Sequence, residues 1–157
     1  MTAPLTETPS TPSGKKRSKG ARVCRFIESH CVFTNGEWIG QPFRLLPWER
    51  KLIFELFEVG DDGLRRYSEA LIGVSKKNGK TELIAALDLY FMLADGEPAP
   101  LVVCAASSDY QADLVFTAAK TMVTMSPTLQ QLCQAFDKEI VARDLPGAKL
   151  ERLAAVM

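Results

Sequence analysis

The stretch Leu71-Ile72-Gly73-Val74-Ser75-Lys76-Lys77-Asn78-Gly79-Lys80-Thr81-Glu82-Leu83 decides the fold. Leading into it, residues 68–74 form a short apolar run, which predicts a buried strand. After it, Leu83, Ile84, Leu87, Tyr90, Phe91 and Leu93 recur at helical spacing and predict a helix over 80–94. Between the two lies Asn78-Gly79-Lys80-Thr81, which contains the Gly-Lys-Thr core of a phosphate-binding loop. The residue types suit that chemistry. Gly79 lets the backbone pass close to phosphate oxygens without a β-carbon in the way. Amides at a helix start point toward an anion, and the helix dipole favours negative charge there. Lys80 supplies a flexible point charge, and Thr81 a hydroxyl for Mg²⁺. Ser75, Lys76, Lys77 and Asn78 complete the cradle. The usual loop has its first Gly where this chain has Val74, with Gly73 one place early.

Downstream, 101–106 (LVVCAA) is β-branched and apolar and predicts a second buried strand. Ser108 and Gln111 form a capping box for a helix to about residue 125. Ser126-Pro127 restarts a shorter helix through 136, and 139–142 and 149–156 read as strands. Asp88 falls off the apolar stripe of its helix and is expected to face solvent. Strands alternating with helices predict an α/β fold with a parallel sheet covered on both faces by helices, of the P-loop NTPase type and incomplete at its C-terminal edge.

Upstream, Pro47 opens a helix over 48–59, with Leu52, Ile53, Leu56 and Phe57 on one stripe. A weaker helical spacing covers 22–32. Residues 1–20 are rich in Pro, Ser, Thr and Gly and read as a disordered arm. Its basic end, with Lys15, Lys16, Arg17, Lys19, Arg22 and Arg25, either touches phosphates or keeps the chain soluble. The chain thus divides into an arm (1–20), a helical adaptor (21–63) and a partial ATPase domain (64–157).

Composition bounds the function. Among 157 residues, 19 Lys+Arg balance 19 Asp+Glu, so nucleic-acid binding must come from a local patch. At 46% hydrophobic and 24% charged, the composition is that of an ordinary globular domain, not of a disordered chain. No apolar run approaches the roughly 18 residues of a membrane-spanning helix. Cys24, Cys31, Cys104 and Cys133 have no zinc-site spacing and are expected as free, buried thiols.

The loop Val74–Leu83 resembles the variant phosphate loop of phage terminase large subunits, the DNA-packaging ATPases, in which a basic pair precedes Asn-Gly-Lys-Ser/Thr. The stretch GEWIGQPF at 36–43 followed by Leu45-Leu46-Pro47-Trp48, and AASSDYQA at 105–112, are similar to flanking segments of that family. The resemblance covers about residues 23–157. It implies ATP and Mg²⁺ as cofactors, double-stranded DNA as cargo, and the terminase small subunit and the portal of the procapsid as partners. It also implies a ring homo-oligomer in the full-length protein, in the cytoplasm of a bacterial host. After Pro-Trp the family carries an adenine-reading Gln; here Glu49 stands there, and it reads either as an adenine contact or as a surface acid in the first helical turn. Arg143 and Arg152 are the candidates for an arginine reaching a neighbouring subunit's ATP. No apolar strand ending in Asp-Glu occurs, so the family's second acid motif and nuclease are expected beyond residue 157. Nucleotide binding with little turnover follows. The alternatives are a helicase-like P-loop ATPase, or a non-catalytic truncated module that binds DNA or a partner through the arm.

Overall fold

The computed structural model describes residues 17–154. Most of the arm, residues 1–16, and the end of the strand expected over 149–156 lie outside the described residues. Strand β1 (Arg17–Ser18) pairs antiparallel with β2 (Glu58–Val59) and leads into α1 (Gly20–His30). A 3-10 turn (Gly36–Trp38) and α2 (Pro47–Leu56) follow, then α3 (Lys80–Leu93), β3 (Leu101–Ala106), α4 (Asp109–Met125), α5 (Pro127–Leu132), β4 (Cys133–Ala135), β5 (Glu139–Ala142) and β6 (Lys149–Ala154).

Local chemistry places several of these ends. Pro47 sits in the first turn of α2. The Ser108 hydroxyl accepts from the Gln111 amide and starts α4. Ser126 closes α4 and opens α5: its hydroxyl accepts from Leu129 N–H and donates to the His30 carbonyl at 2.6 Å. One apolar core joins α1, α2, α3, α4 and the sheet, with Val23, Ile27, Ile53, Phe57, Leu83, Leu89, Tyr90, Phe116 and Met122 buried in it.

The sheet corrects the expected topology. Its order is β3-β6-β5-β4; β3 and β6 run parallel, but β5 runs antiparallel to both β6 and β4. Only residues 136–138 link β4 to β5, and only 143–148 link β5 to β6. A parallel crossover needs a dozen residues or more, so links of this length make hairpins. The helix expected through 136 therefore stops at Leu132. Coverage is one-sided among the described residues. α4 packs on β3 and β6 over Cys104 and Leu150, whereas Leu101, Val103 and Leu153 on the opposite face are exposed.

No strand forms over 68–74. Leu71 is fully exposed, and Ile72 and Val74 are half-buried. A strand is held by backbone bonds to a neighbouring strand, and among the described residues no strand pairs with this segment.

Candidate functional site

The phosphate-loop candidate occupies the turn between that unpaired segment and α3. Lys77 has φ of 65° and Gly79 has φ of 70° and ψ of 9°, both left-handed. Glycine adopts this freely, whereas a side-chain-bearing residue such as Lys77 gives up roughly 1 kcal/mol. Left-handed residues set among others turn successive N–H groups toward one point, the geometry of an anion-binding concavity. Gly79 is the N-cap of α3, and its carbonyl accepts the Leu83 N–H at 3.0 Å. The free amides of the first helical turn therefore open onto the same bend. Ser75, Lys76, Lys77, Asn78, Gly79 and Lys80 are exposed, and Thr81 is half-buried. Among the described residues no acid pairs with Lys76, Lys77 or Lys80. Their charge is free for an external anion.

Glu49 is brought to this loop. It is 3% exposed, not a surface acid. Its Oε2 accepts the Leu46 N–H at 2.7 Å and caps α2. Its Oε1 lies 3.8 Å from where a β-carbon on Gly79 would stand. Burial pushes the Glu49 carboxyl up, the Leu46 amide opposes the shift, and the nearby Glu82 adds to it. Leu46 and Trp48 flank Glu49 with partly exposed apolar surface.

Arg143 and Arg152 are not drawn to the loop; each is held within the chain. Arg143 donates to the Gln130 carbonyl at 3.0 Å and to Gln134 Oε1 at 3.4 Å, across the end of α5. Arg152, on β6, pairs with Asp113 of α4 at 3.2 Å.

The family model for the terminase large subunit ATPase domain matches residues 47–144. The chain belongs to this family. A terminase large subunit of Enterobacteria phage HK97 is 35% identical over 118 residues, covering 73% of this chain and 22% of that protein. The crystal structure of the HK97 bacteriophage large terminase superposes with a TM-score of 0.72 at 29% identity, over 88% of this chain and 28% of that one. The chain thus spans about a quarter of the relatives it matches. Within this terminase ATPase sequence the family match contains Glu49, the whole loop 75–81 and Arg143, and stops short of Arg152.

Sequence reasoning passed over Glu82. An acid in the first turn of a helix reads as a dipole partner. Here it is 7% exposed, and its Oε1 accepts both the Thr34 N–H at 2.6 Å and the Thr34 hydroxyl at 2.8 Å. The one available signal was its place directly after Thr81. Cys24, Cys31, Cys104 and Cys133 are buried free thiols, and burial pushes Cys31 up to about 12.

Proposed function

We propose that this chain is the ATP-binding portion of a phage terminase large subunit, the motor that packages double-stranded DNA into a procapsid. One observation carries the reading: the left-handed bend at Lys77 and Gly79 runs straight into α3 and carries three exposed lysines that pair with no acid among the described residues. That bend lies inside the family match. The same family favours a terminase over a helicase-like ATPase or a vestigial module. The core is of the P-loop NTPase type, with the unpaired segment 68–74 as the strand that feeds the loop.

Lys80 neutralises phosphate charge, and the backbone from Ser75 to Gly79 supplies amides. The Thr81 hydroxyl is a ligand for Mg²⁺, which on binding screens the charge of the phosphates. Glu49 takes the place of the family's adenine-reading Gln. A carboxylate only accepts, but a protonated carboxyl offers one donor and one acceptor as an amide does. The burial that raises Glu49 favours that form. Arg143 and Arg152 are the residues of this chain that would reach a neighbouring subunit in a ring, after leaving Gln130 or Asp113. Double-stranded DNA, the small subunit and the portal are the partners, in the host cytoplasm.

Titration of the chain with Mg-ATP tests this reading. Saturable binding that disappears in Lys80→Ala supports it. Binding that ignores Lys80 counts against it.

A further inference from the structure

We infer that Glu82 is a positioning residue of the nucleotide site: by holding Thr34 it fixes the spacing between the start of α2 and the phosphate loop at the start of α3. The inference rests on the nucleotide reading above and adds a residue that does not itself meet the ligand.

The geometry is a closed circuit. Glu82 lies one residue after Thr81, on the buried side of α3. A buried carboxylate is costly unless hydrogen-bonded, and here both donors come from Thr34, 48 positions away in sequence. Thr34 lies in a loop with a tied stem. Phe33 N–H donates to the Gln41 carbonyl at 2.9 Å, Gly40 N–H to the Phe33 carbonyl at 2.8 Å, and Phe43 N–H to the Cys31 carbonyl at 3.0 Å. The Phe33 and Phe43 rings stack with centroids 4.7 Å apart. The chain leaves this stem through buried Phe43 and Leu45 and enters α2 at Pro47. α2 then returns to the loop through Glu49, beside Gly79. The wall formed by Leu46, Trp48 and Glu49 is thus tied to α3 on one side at Glu82 and meets it on the other at Gly79. Glu28 of α1 also holds the start of α2, accepting from Leu45 N–H at 3.2 Å and from Arg50 at 2.6 Å. That tie runs to α1, so losing the Glu82 tie loosens the wall against α3 while α2 stays docked on α1.

Charge alone predicts the opposite effect. Glu82 sits behind an anion site, so deleting its negative charge should tighten any phosphate ligand. Positioning instead predicts a selective loss. A ligand that spans wall and loop suffers, while one that meets the loop alone does not.

The experiment measures affinities of the 157-residue chain for Mg-ATP and for Mg-tripolyphosphate, with thermal melting as a check on folding. The parent is compared with Glu82→Ala, Glu82→Gln, Thr34→Ala and the Glu82→Ala/Thr34→Ala double variant. The preference for ATP over tripolyphosphate should fall about tenfold in Glu82→Ala, the loss expected of a hydrogen-bonded charged group. Thr34→Ala should move it in the same direction by less, and the double variant no further than Glu82→Ala. Glu82→Gln keeps an acceptor and should keep the parental preference. An unchanged preference in Glu82→Ala, equal loss of both ligands, or Glu82→Gln behaving like Glu82→Ala overturns the inference. Should Glu82→Ala not fold, an unchanged preference in Thr34→Ala overturns it instead. A parent that binds neither ligand removes the nucleotide reading and this role together; a parent that binds both, with equal losses in Glu82→Ala, removes this role alone.

Discussion

Cys104 Sγ lies 3.2 Å from Asp88 Oδ2, so a thiol on the buried face of β3 donates to a carboxylate on α3. Asp88 is therefore not the solvent-facing residue that its place off the apolar stripe implies. It borders a recess of about 260 Å³ with Ile84, Val103, Gln111 and Val115.

This pairing has a pH signature. Burial pushes Asp88 from 3.8 up to about 6, and the Cys104 thiol only partly opposes it. Between those values the folded chain holds a proton that the unfolded chain has released. Stability from this group is therefore complete below pH 3.8 and is lost as pH rises toward 6. Asp88→Asn keeps an acceptor for Cys104 and removes the titration. Urea unfolding at about pH 4.5 and about pH 7 should show the variant gaining on the parent at the higher pH. An equal difference at both values would exclude the coupling.

Gly79 tests the bend itself. Its φ of 70° is left-handed, and the nearest atom to an added β-carbon is Glu49 Oε1 at 3.8 Å, an ordinary contact. The penalty for Gly79→Ala is thus conformational, about 1 kcal/mol of stability, with weaker Mg-ATP binding. Asn tolerates the left-handed region better, so Gly79→Asn should lose less of both. Melting and titration of the two variants side by side make the check; Ala outperforming Asn contradicts the bend.

Gly20 reports on how α1 and α2 meet. A β-carbon there would stand 2.7 Å from the Phe54 Cα, which is backbone and cannot swing aside. Gly20→Ala must push α1 off α2 and should cost about 1–3 kcal/mol, read by chemical denaturation. A neutral Gly20→Ala would mean that the two helices are not in this contact.

Much of this was legible in the sequence where the signal is local. The Ser108–Gln111 cap and the apolar spacing from Leu83 to Leu93 each point to the helix observed, because burial and capping act over one or two turns. The run Leu101–Ala106 points to the strand observed but not to its burial, since only Cys104 of it is buried. The Gly-Lys-Thr core likewise falls at the N-terminus of α3. What stayed hidden depends on distant partners. Cys133–Ala135 has helical composition but is claimed by the antiparallel hairpin with Glu139–Ala142. Residues 68–74 have strand composition but no strand partner among the described residues. Glu82 reads as an ordinary helix-start acid, and Glu49 as either that or an adenine contact, until folding buries them next to Thr34 and Gly79. One-dimensional spacing carries no record of those encounters.

The central claim is that a triphosphate meets the amides around Asn78–Thr81. The most direct measurement is backbone amide NMR of the ¹⁵N-labelled chain during titration with Mg-ATP. The account predicts that the largest, saturating shifts fall on Lys77, Asn78, Gly79, Lys80 and Thr81, and that they vanish in Lys80→Ala. Shifts that leave these amides unmoved while others respond would contradict it.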